Sequence, residues 1–269
     1  MSDDIYEVYA VRYATMANRT RRENFLGVDP HDAAPMPIDY YVWVIRNAAR
    51  TVVVDTGFDE AEGERRGRVI TRLPRDGLAM LGVDAARVQD VIVTHLHYDH
   101  AGTIGDFPEA RLHLQEAEMA YATGRCMTYE TLRQPYSADH VCAMVRRVFD
   151  GRVAFHAGDE EILPGISVHL TGGHAKGIQC VRVRTASGPL VLASDTAHFY
   201  ENLTTRRPFI LLHDVEAYLR GLDRLDALAG AQERIVPGHD PLVMARYPAP
   251  EARLDGVVAR LDVAPAAGA

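Results

Sequence analysis

The 269-residue sequence has few cysteines and no long apolar run. Its three cysteines, Cys126, Cys142 and Cys180, are scattered, so neither a disulfide framework nor a Cys-x-x-Cys metal site is indicated. No run of roughly 18 apolar residues occurs, which argues against a membrane-spanning helix. The opening MSDDIYEVYAV lacks the basic and apolar regions of a secretory signal. We therefore expect a cytoplasmic protein that folds without disulfides.

Positive charge is also in deficit. Lysine and arginine together number 29 against 37 acidic residues, which gives a net charge of -8, and Lys176 is the only lysine. Nucleic acids and anionic membranes are bound by basic surfaces, so neither is expected as a partner. The chain is 47% hydrophobic and 25% charged, enough for a substantial core. With no linker evident, we expect residues 1–269 to form one domain.

The strongest local signal is the stretch VIVTHLHYDHAG at residues 91–102. It opens with four apolar or β-branched residues, which are typical of a short buried strand. It continues into four side chains of the metal-ligand type: His95, His97, Asp99 and His100. Imidazole and carboxylate groups suit zinc and similar ions, and the alternation directs them towards two points. A loop of ordinary surface histidines is the alternative, which so dense a cluster beside an apolar strand disfavours.

The segment HLHYDH resembles the HxHxDH signature of the metallo-β-lactamase fold. Further pieces of the family pattern follow in order, each after an apolar run: His174 in TGGHAKG, Asp195 in VLASDTAH and His239 in IVPGHD. The resemblance implies a mixed α and β protein (α/β, or α+β), an αββα sandwich in which helices flank two mixed sheets.

The same resemblance implies a site for two divalent metal ions. In the family pattern His95, His97 and His174 hold one ion, the second set is Asp99, His100 and His239, and Asp195 bridges the two ions. Zinc is the expected metal, although iron, manganese or cobalt also suit these ligands. A hydroxide shared by two ions attacks a substrate carbonyl, and Asp99 is expected to move the proton.

Asp55, in the sequence DTG, is expected from the family pattern to hold a metal ligand or its loop in place. A simple turn role beside a glycine is an equal alternative.

Differences from other branches of this family narrow the range of expected substrates. β-Lactamases of this fold commonly carry cysteine where this chain has Asp195, glyoxalase II enzymes add a helical domain after the position of His239, and nucleases need a basic surface. The lactonase branch remains, and the chain resembles its quorum-quenching N-acyl-homoserine lactonases in the segments THLHYDHAG and DFPEARLHLQ, in the long N-terminal insert and in the closing IVPGHDPLV. Another small lactone or ester, such as an aromatic catabolic intermediate, is the alternative, and a metal-binding scaffold without activity is a minor third.

Two features of the protein would discriminate between these substrate classes. A long apolar channel lined by the N-terminal insert would favour acyl chains, whereas a small pocket with arginine or histidine groups would favour a carboxylate. Lactonases of this branch place a tyrosine three residues after the bridging aspartate, where this chain has His198. We predict that Tyr200 takes over the role of that tyrosine, with simple core packing as its alternative, and we count Asp99, Tyr200 and His198 as the catalytic candidates.

Several structural elements are also predicted. An N-terminal insert at residues 13–36 is a candidate for substrate or dimer contacts, and the connection at residues 123–139 is a candidate cap over the pocket. Residues 40–45 and 51–55 are expected to form a hairpin. Periodic apolar residues predict a helix over 215–228. Asp139 is expected to cap a helix, and a short last helix with a frayed tail is expected beyond Tyr247.

Overall fold

The computed structural model describes residues 4–266, which form two mixed β-sheets flanked by helices. The strands in chain order are β1 Glu7–Met16, β2 Ile38–Arg46, β3 Thr51–Val54, β4 Val69–Ile70, β5 Asp90–Ile92, β6 Arg111–Gln115, β7 Val153–His156, β8 Glu160–Leu163, β9 Ile166–Leu170, β10 Gln179–Thr185, β11 Gly188–Ser194, β12 Ile235–Pro237 and β13 Val258–Arg260. The helices are α1 Glu60–Arg66, α2 Pro74–Met80, α3 Glu116–Ala122, α4 Glu130–Arg133, α5 Ala138–Phe149, α6 Tyr200–Thr205, α7 Val215–Ala229 and α8 Leu242–Arg246.

The first sheet has the order β13-β1-β2-β3-β5-β6-β7, with β4 paired to β1. Its first half is antiparallel, and β3, β5, β6 and β7 are parallel. The second sheet has the order β12-β11-β10-β9-β8, in which only β11 and β12 pair in parallel. Both sheets are therefore mixed, and the fold class predicted from the sequence is confirmed.

A continuous apolar core joins the two sheets. Strand β2, IDYYVWVIR, is buried along almost its whole length, as expected for a strand covered on both faces. Core residues come from both sheets, for example Val44 and Val91 from the first and Val181 and Val191 from the second. The apolar runs that flank the ligand-type residues in the sequence are thus the strands of this core.

Strand direction brings the loops of interest to one rim. Strands β9 and β11 both pair antiparallel with β10, and β12 is parallel to β11, so β9, β11 and β12 end at the same edge. In the other sheet β3 and β5 run in parallel and also end together. The two edges are in contact, because Gln179 donates its backbone N–H to the Thr94 carbonyl at 3.1 Å and the Thr94 Oγ1 lies 2.8 Å from Ser194 Oγ.

Two predicted elements are confirmed and two are wrong. The hairpin is present as β2 and β3, and the predicted helix is α7, whose first turn is capped by Asp214. Asp139 does not cap a helix, because α5 already begins at Ala138. Beyond Tyr247 the described chain forms no α-helix; a 3-10 turn leads into β13, which pairs with β1. The expected frayed tail, VAPAAGA at residues 263–269, lies partly outside the described residues. No helix in residues 4–266 is long and apolar enough to cross a membrane.

The turn before His174, in the sequence TGGHAKG, depends on the two glycines that precede the histidine. Gly172 has φ +68° and Gly173 has φ +90°. Proline holds φ near -65°, so it cannot occupy position 172 in this backbone. At Gly173 an added Cβ would lie 2.3 Å from the Cα of Tyr218 in α7. The second glycine therefore lets the His174 loop lie directly against α7.

Gly173→Ala is expected to lower the free energy of unfolding more than Gly172→Ala. Both variants carry the roughly 1–2 kcal/mol penalty of a left-handed backbone. Only the first also overlaps a neighbouring backbone, since a Cβ at position 172 would meet nothing closer than 3.8 Å; overpacking adds about 1–3 kcal/mol. Urea unfolding of the two variants measures the difference, and equal losses would show that the close approach to α7 is unimportant.

Candidate metal centre

The first cluster at the rim contains His95 and His97 from the loop after β5, His174 from the loop after β9, and Asp195 directly after β11. One ligand atom from each lies within 4.8 Å of the others. The His174 Nε2 is 3.0 Å from His97 Nδ1 and 3.2 Å from Asp195 Oδ2, and His95 Nε2 is 3.9 Å from the same oxygen. All four side chains are buried. Residues separated by up to 100 positions thus form one compact group.

A second cluster adjoins the first and contains Asp99, His100 and His239. Here the other oxygen of Asp195 is the near one: Oδ1 lies 3.3 Å from His100 Nε2 and 3.0 Å from His239 Nε2. Asp99 lies alongside, with its Oδ2 3.7 Å from His239 Nε2. Each oxygen of Asp195 therefore faces one of the two groups, as a carboxylate shared by two ions would.

The donor atoms of these clusters suit metal ions. His95 Nε2, His100 Nε2 and Asp195 Oδ1 are buried and have no hydrogen-bond partner in the described structure. Burying polar atoms without a partner is costly, and native proteins rarely leave them so. Imidazole nitrogens and carboxylate oxygens are the donors that zinc and neighbouring divalent metals accept. The residues present therefore fit divalent metal ions.

The charges around the clusters are arranged unevenly. Burial, aided by neighbouring histidines, lowers the pKa of His95 and His97 well below the usual value and leaves them in the neutral, metal-binding form. Burial raises the pKa of Asp195, but the surrounding histidines outweigh it and hold that pKa well below its ordinary value. At His100, burial lowers the pKa and the carboxylates of Asp195 and Asp55 raise it well above normal, so metal binding there releases a proton.

Asp55 makes the contact expected of a residue that orients a ligand. Its Oδ2 lies 2.7 Å from His100 Nδ1 and accepts the Thr94 hydroxyl, while its Oδ1 accepts the Thr94 backbone N–H. The Nε2 of His100 is thereby directed at the cluster. Asp55 also adopts φ +59°, two residues before Gly57 at φ +76°. Asp55 therefore forms part of a turn and also orients His100, so both of its expected roles are present.

Backbone carbonyls orient two more imidazoles. The Nδ1 of His174 lies 2.8 Å from the Leu211 carbonyl, and that of His239 lies 2.8 Å from the Asp39 carbonyl. A bond at Nδ1 leaves Nε2 for a metal. The sequence contains no signal for these partners, because any residue can supply a carbonyl.

Glu118 is a buried carboxylate that sequence reasoning missed. It accepts the backbone N–H of Leu96 at 3.0 Å and of Gly177 at 2.9 Å, and the hydroxyl of Tyr136 at 2.9 Å. These bonds tie together the loops that carry His97 and His174. Its position among the acids that open α3 resembles an ordinary exposed helix start, so nothing local distinguished it.

The structure brings one of the two non-ligand catalytic candidates to the site. His198 lies with its Nε2 3.0 Å from Asp195 Oδ2, and its ring stacks on Phe209 with centroids 3.5 Å apart. Burial lowers its pKa to about 3. Tyr200 is not among the residues that line the cavity over the clusters; its ring packs under the guanidinium of Arg246 at 3.9 Å. This placement favours the packing role for Tyr200, and its catalytic role stays a prediction.

A cavity of about 160 Å³ lies over the clusters. Part of the clusters lines it together with His198 and Phe209, namely His97, Asp99, His174, Asp195 and His239. Three guanidinium groups also line it: Arg19, Arg66 and Arg68. A second cavity of about 290 Å³ shares His97 and His174 with it and has a more apolar lining that includes Leu132 and Ile210. The space above the site is thus small and positively charged on one side and more apolar on the other.

Both segments singled out as insert and cap reach these cavities. Arg19 comes from the insert, and Gln134 and Pro135 come from the 123–139 connection. The insert is held to the body by buried Phe25, which contacts Phe199 at 5.8 Å between ring centroids. The roles of the two segments as insert and cap stay predictions.

The fold and the site together define a metal-dependent hydrolase: two mixed sheets flanked by helices, with a buried histidine and aspartate cluster at the strand ends. Comparison with known families agrees. The model of the metallo-beta-lactamase superfamily matches residues 37–239, and the chain belongs to this superfamily.

Individual relatives carry lactonase names. The N-acyl homoserine lactonase of a Bacillus species is 26% identical over 221 residues, which cover 76% of this chain and 82% of the relative. The N-acyl homoserine lactonase AttM of Azorhizobium caulinodans is 33% identical over 177 residues, 60% of this chain and 61% of the relative. The crystal structure of a quorum-quenching N-acyl homoserine lactone lactonase superposes with TM-score 0.74 at 22% identity, covering 89% and 94% of the two chains; at that identity it supports the fold alone.

Asp55→Asn is expected to reduce metal affinity by about 10–100-fold, because the amide does not hold the His100 ring as the carboxylate does. Competition with a chromogenic chelator measures this affinity. Asp90→Asn is the matched control, since Asp90 Oδ1 lies 3.1 Å from His113 Nε2 outside the cluster. A loss of similar size in both variants, or none in the first, would contradict the assignment.

Proposed function

We propose that this protein is a dinuclear metal-dependent hydrolase that opens a lactone ring. One observation carries the proposal: the two oxygens of the buried Asp195 face two separate groups of histidines, His95 with His174 and His100 with His239. Two bound divalent ions would polarise the substrate carbonyl and supply a nucleophilic hydroxide near neutral pH. Zinc is the first choice among metals for these donors.

The protein's own side chains would handle the proton and the substrate. Asp99 lines the cavity at the edge of the second cluster, so its carboxylate would take the proton of the nucleophile and return it to the leaving alkoxide. His198 lines the same cavity, and its ring stacks on that of Phe209. We propose that its imidazole takes the substrate-holding role that a tyrosine has in the lactonases this chain resembles.

N-acyl-homoserine lactones, and with them quorum quenching, are the first candidate substrates. Relatives that share 24–33% of their residues with this chain are named N-acyl homoserine lactonases. The second cavity, with Leu132, Ile210 and Leu211 in its lining, offers apolar surface beside the site for an acyl chain.

Another small lactone or ester, such as an aromatic catabolic intermediate, is the second candidate, and a specific observation favours it. The cavity directly over the clusters is small and carries arginines, which is the feature expected for a substrate with a carboxylate. Zinc as the native metal, a homodimer, and a cytoplasmic location without nucleic-acid or membrane partners stay predictions from the sequence.

The decisive experiment is incubation of the metal-loaded protein with a short-chain and a long-chain N-acyl-homoserine lactone, followed by acidification. Loss of the lactone that acid reverses is the expected result, because ring opening yields a hydroxy acid that closes again at low pH. Loss that acid does not reverse would indicate cleavage of the amide instead. No loss with two metals bound per chain would reject these substrates and leave the second candidate.

His198→Asn is expected to lower turnover by about 100-fold, as for the loss of a positioned group that holds the reacting oxygen, with metal content unchanged. Tyr200→Phe is expected to have a smaller effect, because that ring faces Arg246. Steady-state kinetics and metal analysis of both variants separate the roles. Loss of metal from His198→Asn would make His198 a ligand, and a larger effect at Tyr200 would restore Tyr200 as the catalytic group.

A further inference from the structure

The cavity over the clusters is positively charged although the protein as a whole has a net charge of -8. Three guanidinium groups line it, and one of them is accounted for by the fold. Arg66 forms an ion pair with Glu62 at 2.5 Å and donates to the backbone carbonyls of Gln134 and Tyr136. Arg66 therefore holds the 123–139 connection to α1, and its charge is compensated.

The other two guanidinium groups have no such partner. Neither Arg19 nor Arg68 forms an ion pair with a carboxylate among residues 4–266, and both are half-buried. Arg19 donates to the Asn24 side-chain oxygen and to the Glu23 carbonyl. Arg68 donates to the Tyr98 hydroxyl at 3.0 Å and to the Arg66 carbonyl at 2.8 Å. All of these acceptors are neutral, so they orient the two groups without forming an ion pair. The carboxylates of Glu23 and Asp99 act on Arg19 and Arg68 only at longer range.

The guanidinium groups of Arg19 and Arg68 are also close to each other. The Met16 sulfur lies 3.8 Å from Arg19 Nη1 and 3.0 Å from Arg68 Nη1. Burial, and then the charge of Arg68, lower the pKa of Arg19. Two half-buried like charges in one cavity repel each other, and an anion between them would remove that penalty. Guanidinium groups match the planar, two-oxygen geometry of a carboxylate.

We propose that Arg19 and Arg68 bind a carboxylate on the substrate, so that the enzyme selects small lactones or esters bearing a second, non-reacting carboxylate. The inference rests on the proposed lactonase function and, between its two candidate substrate classes, favours the second over N-acyl-homoserine lactones. Arg19 comes from the N-terminal insert and Arg68 from the segment after α1, so these two regions determine specificity, while the clusters perform the chemistry. Neutral N-acyl lactones lack the group that this pair recognises.

Two γ-lactones that differ only in charge test the selection. The metal-loaded protein is assayed with 5-oxotetrahydrofuran-2-carboxylate and with its neutral carboxamide. We expect kcat/KM to favour the carboxylate by about tenfold or more, as for a charge-assisted bidentate contact. Arg19→Gln and Arg68→Gln should each reduce this preference. Arg75→Gln removes an exposed arginine of α2 outside the cavity and is the matched control. Equal kcat/KM values for the two lactones would overturn the inference and leave the lactonase function intact.

Binding without turnover separates the two hypotheses. Tetrahydrofuran-2-carboxylate carries the same ring and carboxylate but no bond to hydrolyse, and calorimetry with the metal-loaded protein measures its affinity against that of the neutral carboxamide. Binding that is lost in Arg19→Gln and Arg68→Gln but kept in Arg75→Gln supports the inference, even if neither lactone is hydrolysed and the proposed function fails. Binding that survives both substitutions would place the carboxylate on the metals, and no binding would leave the pair without a ligand; either result overturns the inference.

Discussion

Asp195 is the residue on which the arrangement of the site depends. It is a buried carboxylate directly after β11, and its two oxygens face histidines from both sheets. So many imidazoles cannot be buried around it unless their lone pairs and charges are matched, because isolated buried polar groups are costly. Divalent ions match them, and the unpartnered nitrogens of His95 and His100 lie where the ions would be needed. The metal site and the packing of the two sheet edges therefore depend on the same buried side chains.

The rest of the rim keeps these donors in position. Asp55 and two backbone carbonyls hold the outer nitrogens of His100, His174 and His239, and Glu118 ties the loops of the two sheets together. These contacts fix ring direction before any metal arrives. Such preorganisation is what a catalytic metal centre requires, since a ligand that points elsewhere must be reordered at a cost in affinity.

The clusters and the cavity wall above them come from different parts of the chain. The cluster belongs to the strand ends of the core, whereas the cavity wall above it is supplied by the insert, the segment after α1 and the 123–139 connection. In such an arrangement the residues of the wall can change while the reaction stays the same. One fold therefore supports many substrates, and the fold alone does not identify the substrate. Here the wall carries the guanidinium groups of Arg19 and Arg68.

The sequence by itself determined the fold class and the set of candidate ligands. Its motifs resemble those of the metallo-β-lactamase family, and that resemblance implies both. The apolar runs add a physical reason, because they predict buried strands, and residues such as His95 and Asp195 that follow a run lie near the end of a strand. Only the tertiary structure decided which way later side chains face and which distant segments meet. Tyr200 faces Arg246, the short β13 pairs with β1 from the opposite end of the chain, and Arg19 meets Arg68 across the cavity. These outcomes depend on contacts between residues far apart in sequence, which no local pattern records.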